Sequence, residues 1–163
     1  MARKVFFSFH YARDVMRVMQ VRNSWVVRPE GEAQPFYDKA EFEKVKARAG
    51  GIEKWIEEQL KGTSCTVVLY GAETHLRKWV GHEIKRSWEL KKGLLAIDIH
   101  NVRDPRTGAD QKGENPLSLW HTNNGGAKSY LSDLCGNYDW VRDNGFKNLP
   151  NWIEDAVAAA GRR

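Results

Sequence analysis

Two cysteines in 163 residues, Cys65 and Cys135, are too few for a disulfide framework. Cys65 falls inside an apolar run, where a thiol serves as a small apolar filler. No apolar stretch is long enough to span a bilayer, and no N-terminal segment has the pattern of a secretory leader. The chain therefore reads as cytoplasmic, without a membrane partner. Metal-ligand spacing is missing too: the five histidines are scattered, none at the i, i+4 spacing of a zinc helix, so no metal is expected. GxGxxG, GxxxxGK[ST] and G-x-S-x-G are all absent. That removes a Rossmann dinucleotide fingerprint, a P-loop and a hydrolase nucleophile elbow. No internal repeat or low-complexity linker divides the chain, and its length suits one domain with a real core.

What is present is the composition of an ordinary globular protein, 41% apolar and 29% charged. Twenty-six basic against 21 acidic side chains leave 26 − 21 = +5. That excess fits a phosphate-bearing ligand, although solvated Lys and Arg are the commoner explanation. Nucleic acid is not expected as a partner, because neither a basic helix nor a metal-binding carboxylate cluster is visible. Seven tryptophans are many for so short a chain. Some belong to the core, and several are available for ring stacking or assembly.

The chain is organised around residues 63–92, TSCTVVLYGAETHLRKWVGHEIKRSWELKK. Val67, Val68 and Leu69, flanked by Cys65 and Tyr70, suit a parallel strand covered on both faces. Gly71 ends the strand, and Thr74 is placed to cap the helix that follows. Leu76, Trp79, Val80, Ile84 and Trp88 then repeat at helical spacing. Glu83 falls at the margin of this stripe, while Arg77, Lys78, Lys85 and Arg86 are left for the wet face. In a βα unit the helix start lies near the carboxyl edge of the sheet, where open α/β folds bind ligands. Glu83 is the first candidate for chemistry there. On the residues alone the commoner reading of a helical Glu is a surface carboxylate, here paired to Arg86 or Ser87.

Around that unit, residues 4–9 read as a strand buried on both faces, with Ser8, His10 and Tyr11 clustered at its carboxyl end. A helix is expected over 14–27, where Arg22, Asn23 and Trp25 form a polar–aromatic group. Pro29, Gly31 and Pro35 punctuate a loop. Residues 36–38 form a short strand or a loop end, and 39–48 a short helix or ordered loop. A helix at 52–61 follows, with Gly62 as its stop. Gly93 should stop the long helix, and 94–99 is the next buried strand, unusual in carrying Asp98. Residues 103–116 are turn-rich and expected to be exposed. Residues 117–134 are ambiguous, 138–141 suit an edge strand, and Pro150 opens a last helix at 151–160. The tail 161–163 reads as loose. Strands alternating with helices give an α/β domain: a central, mainly parallel sheet of 4–9, 64–69 and 94–99 with helices on both faces. Ser8, His10, Tyr11 and Glu83 are expected to face one crevice at the carboxyl edge of that sheet.

KVFFSFHY, VRNSWV and the block TSCTVVLYGAET…WVGHEI, with YDWVRDNGFKNLPNWI near the end, together resemble the TIR-like domain proteins of bacterial Thoeris antiphage defence. The resemblance covers most of the chain and is weakest over 103–133. It implies a single flavodoxin-like, TIR-like domain over 1–163 that cleaves NAD+ at the nicotinamide–ribose bond. The W-x-x-x-E-I match carries the family's catalytic glutamate onto Glu83. Ser8, His10 and Tyr11 map to the pocket edge by position, and Asn23 and Trp79 complete the expected substrate-binding set. NAD+ is the substrate, and no cofactor is implied. The product is a cyclic ADP-ribose-type signal that diffuses to a separate effector protein. A phage-derived activator and a homo-oligomer are the further partners to be expected. The chemistry fits a lone carboxylate. Pyridinium is already a good leaving group, so the need is to stabilise oxocarbenium charge on the ribose. The other reading is a non-catalytic TIR-type adaptor that works through protein–protein assembly.

Overall fold

Apolar runs that alternate with amphipathic helices pack into three layers in the computed structural model, which describes residues 3–33, 45–48 and 50–163. The strands are β1 (Arg3–Ser8), β2 (Gly31–Ala33), β3 (Cys65–Tyr70), β4 (Gly93–Asp98), β5 (His121–Asn124), β6 (Ala127–Tyr130) and β7 (Gly136–Asp139). The helices are α1 (Tyr11–Val26), α2 (Gly51–Leu60), α3 (Lys78–Glu89), α4 (Leu131–Leu134) and α5 (Gly145–Ala160). Five strands form one parallel sheet in the order β2-β1-β3-β4-β7, and β5-β6 is a separate antiparallel hairpin. This is the α/β, flavodoxin-like architecture expected. No helix among the described residues is long and apolar enough to cross a membrane.

The period of two along each strand assigns the two faces. Val5, Phe7, Cys65, Val67, Leu69, Leu95 and Ile97 pack against α1 and α5 through Val18, Val21, Trp25, Leu149, Trp152 and Ile153. On the other face Phe6 meets Ile52, Ile56 and Leu60 of α2, while Val68, Tyr70 and Ala96 meet Val80 and Ile84 of α3. Ser8 lies two residues beyond Phe6 and so shares the α2–α3 face.

Several local expectations are corrected. Thr74 does not cap α3. It opens a short 3-10 turn, Thr74–Leu76, and its Oγ1 accepts from Gly71 N at 2.9 Å. Arg77 is the extended N-cap of α3 and offers no side-chain cap, and Leu76 is exposed. Gly93 is not the stop of α3. The helix ends at Glu89, Lys91 turns the chain at φ 57, and Gly93 starts β4. A Cβ at Gly93 would lie 2.9 Å from Val157 N, so glycine lets the backbone of α5 lie against the start of β4. Pro150 sits inside α5 rather than at its start. Proline cannot donate to the carbonyl four residues back, and the Arg28 guanidinium donates to that carbonyl, Phe146 O, instead.

The tail is tied down, not loose. Arg163 donates to Lys92 O, and its guanidinium lies 3.8 Å from the Trp88 ring centroid. Residues 117–134 resolve into a 3-10 turn (Pro116–Leu119), the β5–β6 hairpin and α4. The edge strand at 138–141 begins earlier, as β7. The expectations for 36–38 and for 39–44 lie outside the described residues.

Candidate functional site

The inward face of α3 runs Val80, Glu83, Ile84, Ser87, an i, i+3, i+4, i+7 stripe. Glu83 is therefore inside the stripe, not at its margin, and only 7% exposed. Leu76 belongs to the 3-10 turn before α3 and is exposed, while Trp88 is half-buried and packs beside the Val80 and Ile84 cluster. Ser87 Oγ donates to the Glu83 backbone carbonyl at 2.6 Å and lies 2.7 Å from Thr66 Oγ1, which holds this turn of α3 against β3. Arg86 is engaged with Glu57 and Glu89. Neither Arg86 nor Ser87 is thus the partner of the Glu83 carboxylate.

That partner is Ser8, the last residue of β1, whose Oγ donates to Glu83 Oε1 at 3.2 Å. Ser8 is itself buried. Among the described residues it is the only side chain bonded to the Glu83 carboxylate, and no ion pair reaches it. Burial pushes Glu83 up to about 8, with the Ser8 hydrogen bond opposing. A carboxyl group desolvated without a cation costs free energy in the resting protein, and that cost falls when a positive ligand arrives.

Trp79 precedes Glu83 by one helical turn and is half-buried against the Phe6, Ile52, Ile56 and Leu60 cluster. Its ring lies 5.0 Å from His82, with Lys78 Nζ 4.9 Å from the ring centroid. Ser8, Trp79 and Glu83 thus share one face of the sheet at its carboxyl edge. His10 and Tyr11 sit on the β1–α1 turn at the same edge. His10 has a buried Nδ1 without a partner among the described residues, and burial, then Arg77, holds its pKa below the ordinary value. Tyr11 is exposed, its ring 6.1 Å from Phe9. Asn23 is not brought to this group. It is exposed near the far end of α1, twelve residues beyond Tyr11, or about 18 Å at ~1.5 Å rise per residue.

A polar scaffold that carries no sequence motif braces this edge. Arg13 donates twice to Asp110, at 2.7 and 2.9 Å, and once to Glu73 at 3.0 Å. Arg13 in turn holds Asp110 down at about 2. Arg17, 2% exposed, bonds Asp14 and the carbonyls of Val102 and Gly108. The loop is exposed over most of its length, as expected, yet it is pinned at these points, and its Asp104 is buried and bridged to Gly108. A Cβ at Gly71 would meet Asp14 Oδ2 at 2.6 Å, and one at Gly113 would meet Gly71 O at 2.1 Å. The loop backbone therefore rests directly on the end of β3. The i, i+3 spacing of Asp14 and Arg17 was a readable signal, whereas the part played by Asp110 depends on how the loop folds. A cavity of about 630 Å³ lies away from this edge, beside Trp88, Cys135, Trp152 and Arg163, and contains neither Ser8 nor Glu83.

Residues 6–104 match the family described as "Thoeris protein ThsB, TIR-like domain". That span includes Ser8, His10, Tyr11, Trp79 and Glu83. A protein of Bacillus cereus (strain MSX-D12), named "Putative cyclic ADP-D-ribose synthase ThsB1", is 30% identical in an alignment covering 94% of this chain and 100% of that protein.

Proposed function

Because the chain belongs to the TIR-like domain family of the Thoeris protein ThsB, we propose that it cleaves the nicotinamide–ribose bond of NAD+ and closes the ADP-ribose part into a cyclic signal. The observation that carries this reading is Glu83: a buried carboxyl group at the carboxyl edge of the sheet, with the Ser8 hydroxyl bonded to it. In the reaction the bond between ribose C1′ and the pyridinium nitrogen breaks, and its electron pair leaves with neutral nicotinamide. Positive charge develops on C1′ and the ring oxygen. Ionised Glu83, screened from water, stabilises that charge. A nucleophile of the same molecule then bonds to C1′ and releases its proton, which closes the ring; water in its place gives linear ADP-ribose.

Ser8 has a second use. Its hydroxyl orients the carboxylate while Glu83 is ionised, and Trp79, one helical turn earlier on α3, limits water. The name of the B. cereus relative supports a cyclic product. The signal is read by a separate effector, and NAD+ is a substrate rather than a resident cofactor.

The test is mass spectrometry of the small molecules formed from NAD+ by the purified protein, with and without extract from phage-infected cells. Free nicotinamide and a cyclic ADP-ribose isomer are expected, and both should fall to background with Glu83→Gln. If no nicotinamide forms under either condition, the enzyme reading fails and the assembly adaptor replaces it. If Glu83→Gln turns over like the parent, another residue carries the chemistry.

A further inference from the structure

β4 and β7 end side by side, and each ends on an aspartate. Asp98 and Asp139 are partners in the parallel register, so the period of two projects both to the same face of the sheet. His100 follows two residues after Asp98. One potential ligand atom from each of Asp98, His100 and Asp139 lies within 4.8 Å of the others.

The three are not equally satisfied. Asp139 Oδ1 accepts from Val141 N and Arg142 N, and its Oδ2 from Asn101 Nδ2 at 3.3 Å. Asp98 Oδ1 accepts from His100 N at 2.9 Å and lies 2.6 Å from His100 Nδ1. Asp98 Oδ2 has no partner among the described residues, although the side chain is only 3% exposed. Leaving a carboxylate oxygen buried and bare is expensive. Two aspartates held in register repel each other, and among the described residues neither is ion-paired to a lysine or arginine. A dication would remove both costs.

We propose that Asp98, His100 and Asp139 form a divalent-cation site, with Asp98 Oδ2 as its buried ligand. Two carboxylates and one imidazole suit a first-row ion such as Mn2+ or Zn2+ better than Ca2+ or Mg2+, which prefer oxygen alone. Three protein ligands leave positions open to water or to a bound molecule. The site lies on the same sheet face and edge as Ser8, two strands along, or about 10 Å at ~4.8 Å per strand. It stands apart from the Ser8–Glu83 pair and does not depend on what that pair catalyses. Histidine spacing along the chain concealed it, because its ligands come from two strand ends and a turn and not from one helix.

The experiment is titration of the purified full chain with Mn2+, with free Mn2+ followed by electron paramagnetic resonance and Zn2+ added as competitor. One Mn2+ per chain is expected, displaced by Zn2+ and accompanied by a rise in melting temperature. Asp98→Asn and Asp139→Asn should each weaken binding at least about tenfold, and Glu83→Gln should leave it unchanged. His100→Gln, at a partly exposed position, should also weaken binding and guards against misfolding of the aspartate variants. Absence of saturable Mn2+ and Zn2+ binding overturns the proposal. So does binding that survives all three ligand substitutions in proteins whose circular dichroism is native.

Discussion

Glu83 was legible in the sequence as a candidate, but its burial was not. Reading Leu76, Trp79 and Trp88 as the apolar stripe put the carboxylate at an edge. The stripe formed by Val80, Glu83, Ile84 and Ser87 puts it inside. Burial changes the outcome of Glu83→Gln. The folded carboxyl group titrates at about 8, above its ordinary 4.5. Between those values the unfolded chain has lost the proton and the folded chain keeps it. The folded state then binds more protons, and stability falls as pH rises through that window. Glutamine cannot ionise and escapes the loss. Measured by thermal melts, the variant should match or fall slightly below the parent near pH 5 and gain on it steadily up to pH 8. A constant difference across that range would show that Glu83 titrates as an ordinary surface carboxylate. Activity should run the opposite way. If the ionised form does the work, kcat/KM for NAD+ rises with pH and levels off above about 8. Loss of the charge should cost the variant about 10²–10³ in rate. A rate that is flat from pH 6 to 9 would mean that the ionisation of Glu83 is not limiting.

At the scale of elements, the three central strands and the long helices could be read from the chain because apolar runs and helical spacing are local properties. Their ends could not, because ends depend on contacts made elsewhere. Gly93 looked like a helix stop and is instead the place where α5 crosses β4. Pro150 looked like a helix start, yet it is accommodated within α5 because Arg28, from the turn after α1, supplies a donor to Phe146 O. Residues 103–116 read as a free loop because they are polar and aperiodic, but Arg13 and Arg17 bind Asp110 and Gly108 of that loop from α1. Gly113 tests this tethering. A methyl group there meets Gly71 O at 2.1 Å, and backbone atoms of Ala72 also lie under 3.0 Å away. Gly113→Ala should therefore lift the loop from the end of β3 and cost about 1–3 kcal/mol, the usual range for overpacking. Hydrogen exchange should quicken over 103–116 and leave β4 protected. A variant with parental melting and exchange would show that the loop does not rest on β3 in solution.

For the whole molecule, the family match ends at residue 104, while the packing does not. Fragment 1–104 would keep Ser8, Glu83, β1 to β4 and α1 to α3, which are all the residues argued to act on NAD+. It would lose β7 and α5. Leu149, Trp152 and Ile153 of α5 are buried against one face of the sheet, where Leu95 and Ile97 would then meet water. Burying each large apolar side chain contributes ~1.5–3 kcal/mol. Three of them come to about 5–9 kcal/mol, comparable with the ~5–15 kcal/mol that holds a typical domain together. The backbone contact between Gly93 and Val157 goes as well, and it fixes where β4 begins. The fragment should therefore show no cooperative thermal transition, bind a dye specific for exposed apolar surface, and release no nicotinamide from NAD+. The full chain should melt in one step, because both faces of the sheet draw on segments from either side of residue 104. A fragment that melts cooperatively would place a domain boundary near residue 104 and make β7 and α5 an appendage rather than the closing third of one core.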